Sequence, residues 1–406
     1  MKIMFQDPTF AFEFLRILGE STFGGSDINE CFDTASRIEE GNCDSWFKEW
    51  NRTGERINKI ADQCLALGHS VSAREAYLRA SNYYRCAEFF LHMEIGMEDP
   101  HALPTYDRSV QCFHQAGRLF PFNYEEINIP YKKTTLPGYF FSPAGASFEG
   151  PLLIIHGGFD SIGEELYFNT VPAALSRGYR CLIFEGPGQG AMIRHQNIPF
   201  RPDWEHVVSP VIDYALTRPE VDPTRIVLEG RSLGGYLAPR AAAFDHRLAA
   251  CIAIDGMFTF IPNNLPPQIT SEMKSNSTEE KFNKLLFDGM KKNLYLHWAL
   301  SQGMWNMQAS SLFDLVNNKM SQYSLEGVVS NIRCPTLICE AENDLSYAGQ
   351  PKKLFDALLC PKTYVLYTKE DAAEEHCHEG ACHLLNQRTF DWLDETLNLS
   401  NIKGSY

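Results

Sequence analysis

The chain is poor in the features that mark membrane insertion, secretion and nucleic-acid binding. No run reaches the roughly eighteen uninterrupted apolar residues that a membrane span needs. Asp7, Glu13 and Glu20 break up the apolar N-terminal stretch, which makes it a poor secretory signal. The last residues, NIKGSY, match no prenylation, retention or peroxisomal ending. Basic charge is in deficit, with 36 Lys and Arg against 51 Asp and Glu and a net charge of −15. Approach to phosphate backbones or anionic lipid is therefore unfavourable, which argues against nucleic-acid and membrane partners. The twelve cysteines are scattered rather than paired at fixed spacings, and Cys181, Cys251 and Cys339 sit inside apolar runs. They read as reduced core thiols, and the expected compartment is the cytoplasm.

What is present divides on pattern. At 406 residues the chain can hold a large domain and an accessory one. Residues 1–118 carry no convincing strand. Apolar residues recur there at three- and four-residue spacing over 46–68 and 71–92, with Gly68 ending the first run and Ser70 or Ser72 placed to cap the second. An N-terminal helical domain is predicted. The segments NYEEINIPY and TTLPGYFFSP then read as two antiparallel strands, followed by a turn-rich connection over 143–150.

From 151 onward strands and helices alternate. Predicted strands are LLIIH (152–156), CLIFE (181–185), a short apolar strand at 226–228, ACIAI (250–254), PTLICE (335–340) and TYVLY (363–367). Helices are expected at 164–177, 204–217, 351–359 and 386–397. A helical insertion over about 257–325 interrupts the series. Residues 119–406 are thus expected to form an α/β core with a mostly parallel sheet covered on both faces.

The run GRSLG (230–234), between an apolar strand and a helix, is the strand–turn–helix setting in which a serine becomes a nucleophile. Gly230 and Gly234 let the turn pack tightly while Ser232 stands at its tip. In parallel sheets function collects after the strands, and two further residues lie there. Asp344 follows PTLICE, with Asp255 and Glu342 as rivals, and the cluster EEHCHEGACH follows TYVLY. His376, the first histidine after that strand and preceded by Glu374 and Glu375, is preferred over His378 as the base, and His383 reads as structural.

A serine hydroxyl needs an imidazole to take its proton, and the imidazole needs a carboxylate to fix its tautomer. The order Ser, Asp, His is that of an α/β-hydrolase. Oxyanion donors are expected at the Leu233 N–H and in the loop after LLIIH, at Gly158 and Phe159. The crowding of His376, Cys377, His378, Cys382 and His383 into one segment is unlike a zinc site, and neither metal nor cofactor is expected. EGPGQG (185–190) lacks a P-loop lysine and reads as a structural loop at the pocket rim. Tyr83, Tyr84, Trp305 and Arg231 are candidate substrate contacts, with Phe258 and Trp298 as further aromatics.

On these residues the chain resembles a branch of the α/β-hydrolase superfamily that includes the bacterial 2,6-dihydropseudooxynicotine hydrolase and fungal hydrolases of polyketide clusters. The resemblance rests on RASNYYRCAEFFL, GGFDS, FEGPGQG, GRSLGG and EHCH. It implies a serine hydrolase with an N-terminal helical cap, a small-molecule substrate and a homodimer. It also places a carboxylate used in carbon–carbon cleavage at Asp160, one methylene shorter than the glutamate of the nicotine-pathway enzyme, whereas the residues alone equally allow a helix cap. The expected reaction is cleavage of a C–C, ester or thioester bond beside a carbonyl in a medium-sized apolar metabolite. A non-covalent dehydratase or cyclase and a non-enzymatic regulator are the alternatives.

Overall fold

The computed structural model describes residues 4–145, 149–263, 269, 271–272 and 278–399. The chain forms two compact units, residues 1–121 with 265–320, and residues 122–264 with 321–406.

The first unit is helical. Among its elements are α1 (Pro8–Gly19), α2 (Ile28–Ala35), α3 (Cys43–Ala66), α4 (Ser70–Glu88) and α5 (Ala102–Gly117). Its interior is aromatic, with Phe10 4.7 Å from Trp46 and Trp50 5.5 Å from Tyr83 between ring centres. Gly68, at φ 78°, closes α3, and the His69 N–H returns to the Cys64 carbonyl at 2.9 Å. Neither Ser70 nor Ser72 caps α4. Its N-cap position is His69, which makes no side-chain cap bond, because the tight turn at Gly68 starts the helix three residues earlier than a cap at Ser72 would.

The insertion expected over 257–325 divides. Its helices Glu279–Met290 and Leu294–Asn306 belong with the N-terminal helices. Stacking explains this. The Trp305 ring lies 3.7 Å from that of His92, Trp298 stacks on Phe89 at 4.9 Å, and the Ser301 hydroxyl donates to the Met93 carbonyl at 2.7 Å.

The second unit is built on one eight-stranded sheet in the order β1-β2-β4-β3-β5-β6-β7-β8. The strands are β1 (Asn123–Tyr131), β2 (Thr134–Ser142), β3 (Gly150–His156), β4 (Arg180–Phe184), β5 (Val221–Arg231), β6 (Ala250–Ile254), β7 (Thr336–Ala341) and β8 (Lys362–Tyr367). The β1–β2 and β2–β4 pairs are antiparallel, and the pairs from β4 through β3 to β8 are parallel. Strands β3, β4 and β6 and the Ile226–Leu228 stretch of β5 are mostly apolar and buried, as a sheet covered on both faces requires. Helices α6 (Gly163–Leu175), α7 (Gly190–Arg194), α8 (Glu205–Ala215) and α9 (Gly234–Ala242) follow their strands. The closing helix spans Cys382–Thr396, so His383 lies in its first turn. Among the described residues no helix is long and apolar enough to cross a membrane. None of the twelve cysteines is joined in a disulfide.

Candidate active site

Strands β5, β6, β7 and β8 are neighbours in the sheet, and their carboxyl ends deliver Ser232, Asp255, Asp344 and His376 to one place. Ser232 sits between the end of β5 and the start of α9 at φ 57°. Left-handed backbone costs an L-residue about 1–2 kcal/mol, and packing holds it there. A Cβ on Gly230 would stand 2.0 Å from the Gly234 carbonyl oxygen, and one on Gly158 would stand 2.6 Å from the Leu233 nitrogen. The Ser232 turn and the loop after β3 therefore touch backbone to backbone.

His376 Nε2 is 2.9 Å from Ser232 Oγ, and its Nδ1 is 2.5 Å from Asp344 Oδ2. The other oxygen of Asp344 accepts the N–H groups of Ser346 and Tyr347, both at 2.8 Å, which fixes the carboxylate. With Nδ1–H donated to a carboxylate, Nε2 is left to accept the serine proton. Asp255 also takes part. Its Oδ2 lies 3.0 Å from the same Nδ1. Burial opposes charge on His376, but the adjacent anions outweigh it and hold the imidazolium well above its ordinary range. The neighbouring Cys377 thiol is pushed up by burial, so it is neutral at pH 7 and the carboxylates carry the effect.

His378 faces elsewhere. It is buried, its Nδ1 is 3.1 Å from the Ala373 carbonyl, its ring lies against Tyr367, and burial lowers its basicity. Asp255, His376 and Cys377 bring ligand-type atoms within 4.8 Å of one another. Both imidazole nitrogens of His376 are already engaged by Ser232 and the carboxylates, which leaves this group a poor metal site.

The loop after β3 is braced by the FEGPGQG segment. The Gln189 amide donates to the carbonyls of Gly157 at 2.7 Å and Gly158 at 3.2 Å, while its own oxygen accepts the Gly186 N–H at 2.9 Å. In a planar trans peptide the carbonyl and N–H point in opposite directions. Fixing these two carbonyls therefore fixes the directions of the Gly158 and Phe159 N–H groups. Glu185 holds two helix starts, accepting from the Gly163 N–H at 2.8 Å and the Ala191 N–H at 2.7 Å. Beside it the buried Glu164 accepts from the Tyr139 hydroxyl, and burial together with the Glu185 charge raises its carboxyl to about 8.

Asp160 lies in the bend before α6. It does not cap that helix, whose N-cap is Ile162 with no side-chain cap bond. Tyr83 and Tyr84 are fully buried within the helical unit, and the Tyr83 hydroxyl donates to Glu30 at 2.7 Å. Both rings are placed as interior residues of that unit, as the helical spacing also allowed. Trp305 stacks on His92 of the same unit. Arg231 is buried, with Nε 3.8 Å from Glu229, so its charge is turned inward to the sheet. Aromatic residues missed in the sequence gather instead around the loop after β3. Phe159 packs on Phe260 at 5.3 Å and Phe200 at 6.4 Å, and Phe260 stacks on Tyr347 at 6.2 Å. Tyr347 lay in the AENDLSY run and Gln189 in FEGPGQG, so both were within motifs already read. Nothing marked Phe200 or Phe260.

The order of these parts along the chain and the sheet they stand on have counterparts. A model of the alpha/beta hydrolase family matches residues 152–387. The hydrolase LUC6 of Fusarium sp is 34% identical over 98% of this chain and 99% of its own length. The 20-hydroxy-prefusarin hydrolase FUS2 of Gibberella moniliformis is 34% identical, over 98% of each chain. In fold, the crystal structure of 2,6-dihydroxy-pseudo-oxynicotine hydrolase superposes with a TM-score of 0.71 at 23% identity, covering 93% of this chain and 95% of that one. The strand order, the serine turn and these end-to-end matches agree: the chain belongs to the alpha/beta hydrolase family.

Proposed function

We propose that the protein is a serine hydrolase that cleaves a C–C, ester or thioester bond next to a carbonyl in a medium-sized, apolar, polyketide-like metabolite. The observation that carries this reading is the unbroken hydrogen-bonded line Ser232–His376–Asp344, with bonds of 2.9 and 2.5 Å. Ser232 Oγ attacks the carbonyl carbon as its proton passes to His376 Nε2. The tetrahedral oxyanion is held by the Leu233 N–H and by N–H groups of Gly158 and Phe159. Collapse expels the leaving group, which takes the proton from His376, and water then releases the acyl group by the same steps in reverse. Across both halves one water is consumed, yielding an acid and the protonated leaving group. When the leaving atom is carbon, it takes the His376 proton either directly or through Asp160, which gives one proton to the carbon and receives the one held on His376. The aromatic surround of Phe159, Phe260 and Tyr347 favours an apolar acyl portion. A relative named for its action on 20-hydroxy-prefusarin supports a metabolite of that general kind.

A fluorophosphonate probe tests the nucleophile. The native protein should label at Ser232, and Ser232→Ala should not. Absence of labelling in the native protein, or its persistence in Ser232→Ala, refutes the reading. Asp160→Asn separates the bond types. If C–C cleavage is the reaction, this variant loses it while hydrolysis of an activated ester stays within a few-fold of native. Equal loss of both removes Asp160 from the mechanism.

A further inference from the structure

We propose that Asp255 is a second carboxylate acting on His376, a positioning residue that shares the Nδ1 proton with Asp344. The inference rests on the reading of His376 as the base for Ser232. Asp344 comes from the end of β7 and Asp255 from the end of β6, the strand between those that carry the nucleophile and the first acid. Their Oδ2 atoms stand 2.5 and 3.0 Å from one nitrogen. An imidazole has a single N–H at Nδ1, so two acceptors at that range must divide it.

Asp255 is built for this place. It is fully buried, its backbone is left-handed at φ 52°, its Oδ1 accepts the Ala341 N–H at 3.0 Å, and its Oδ2 also accepts the Cys377 N–H. Two peptide N–H groups, one from the last residue of β7 and one from the loop after β8, thus aim its carboxylate. A carboxylate needed only to satisfy those N–H groups would not also be placed beside a second carboxylate in a buried site, where like charges repel. The imidazole between them offsets that repulsion. Burial works against ionisation of Asp255, yet its bond to His376 and the Cys377 N–H hold it down at about 2, so it is anionic throughout the working range.

Charged and titratable groups meet the imidazole from three strands and from its own segment. Ser232 Oγ lies on its Nε2 side and the two aspartates on its Nδ1 side. On its own segment are Cys377 and His378, both neutral at pH 7, and His378 Nε2 is 3.9 Å from Asp255 Oδ1. From β5, the buried Arg231 interacts electrostatically with Cys377, and also with Glu229 and Glu379. The anionic influence on His376 therefore comes from Asp344 and Asp255 together. The imidazolium formed when Ser232 gives up its proton has two counter-charges instead of one.

The test uses Asp344→Asn, Asp255→Asn and the double variant, assayed on an activated p-nitrophenyl ester. Asparagine tolerates left-handed backbone and keeps an acceptor oxygen, so it suits position 255. In a site with a single acid, the Asn change costs about 10⁴ in kcat. With a second acid in reserve, Asp344→Asn should lose about 100-fold, Asp255→Asn about 10-fold, and the double variant about 10⁴-fold. Removing one negative charge from beside the base should also move the acid limb of kcat/KM to lower pH by about one unit in Asp255→Asn.

An NMR titration of the His376 ring in native and Asp255→Asn protein reads the same shift without any turnover. An unmoved titration, or a full 10⁴-fold loss in Asp344→Asn alone, overturns the proposal. If Asp255→Asn does not fold, the size of the Asp344→Asn loss still decides. Failure of the serine reading itself would show separately, as fluorophosphonate labelling that survives Ser232→Ala.

Discussion

Replacing Glu164 by glutamine should make the second unit more stable at alkaline pH and leave it unchanged at acid pH. Glu164 is buried beside Glu185, and burial first, then the charge of that neighbour, raises its carboxyl from 4.5 to about 8. In the unfolded chain the same group ionises near 4.5. Between those values the folded state binds more protons than the unfolded one, so stability falls as pH rises, and the loss is complete above the folded value. At about 1.4 kcal/mol per pH unit, the penalty is on the order of 4 kcal/mol by pH 8.5. Glutamine is nearly isosteric, can still accept from the Tyr139 hydroxyl, and can donate to Glu185, while having nothing to ionise. Thermal melts from pH 4.5 to 9 should therefore show the two proteins together at pH 4.5. By pH 8.5 the variant should melt roughly 8 °C higher or more. Parallel curves across the whole range would show that Glu164 does not hold a proton in the fold, and would refute the reasoning.

Further expectations concern the site. Gln189→Leu removes the amide that pins the Gly157 and Gly158 carbonyls, and should lower kcat by about 10- to 100-fold with a smaller change in KM, read on an activated ester. Gly158→Ala places a methyl group against the Leu233 nitrogen and the Arg231 carbonyl, at 2.6 and 2.8 Å. Fluorophosphonate labelling should slow by at least 100-fold while the fold survives by circular dichroism. Native kcat/KM should climb with pH through a value above the usual histidine range, since the base must be neutral to act and the carboxylates favour its charged form. A limb below pH 6 would contradict this.

The strands were legible because β3, β4, β6 and β7 are short, buried apolar runs bounded by glycine, proline or polar turns, the strongest single-sequence signal for a covered parallel sheet. Ser232, Asp344 and His376 could be singled out as candidates because each comes after a strand signal in the sequence, those of β5, β7 and β8. Which acid faces the imidazole was not legible as a choice between Asp344 and Asp255. Both follow strands, and only the adjacency of β6 and β7 brings the two onto one nitrogen. The grouping of 265–320 with the N-terminal helices was hidden too. Stacking of Trp305 on His92 is a contact across some 200 residues, and helical periodicity carries no information on what a helix packs against. Tyr83 and Tyr84 illustrate the same blindness, since interior and pocket aromatics share one spacing.

Among the nine described residues that are not glycine and hold left-handed backbone, four, Ser232, Asp255, Cys377 and His378, have φ values from 52 to 58° and belong to the site. All four stand in or beside the loops that carry the hydroxyl, the imidazole and the buried acid. At about 1 kcal/mol or more apiece, such conformations are a standing disadvantage that a protein selected for stability alone would shed. Glycine at any of these positions relieves it, and at Ser232 or Asp255 the same change removes a group in contact with His376. Copies of this gene released from selection for catalysis should therefore drift toward glycine or asparagine here first. The residues at these positions can therefore tell a working relative from a retired one before any assay.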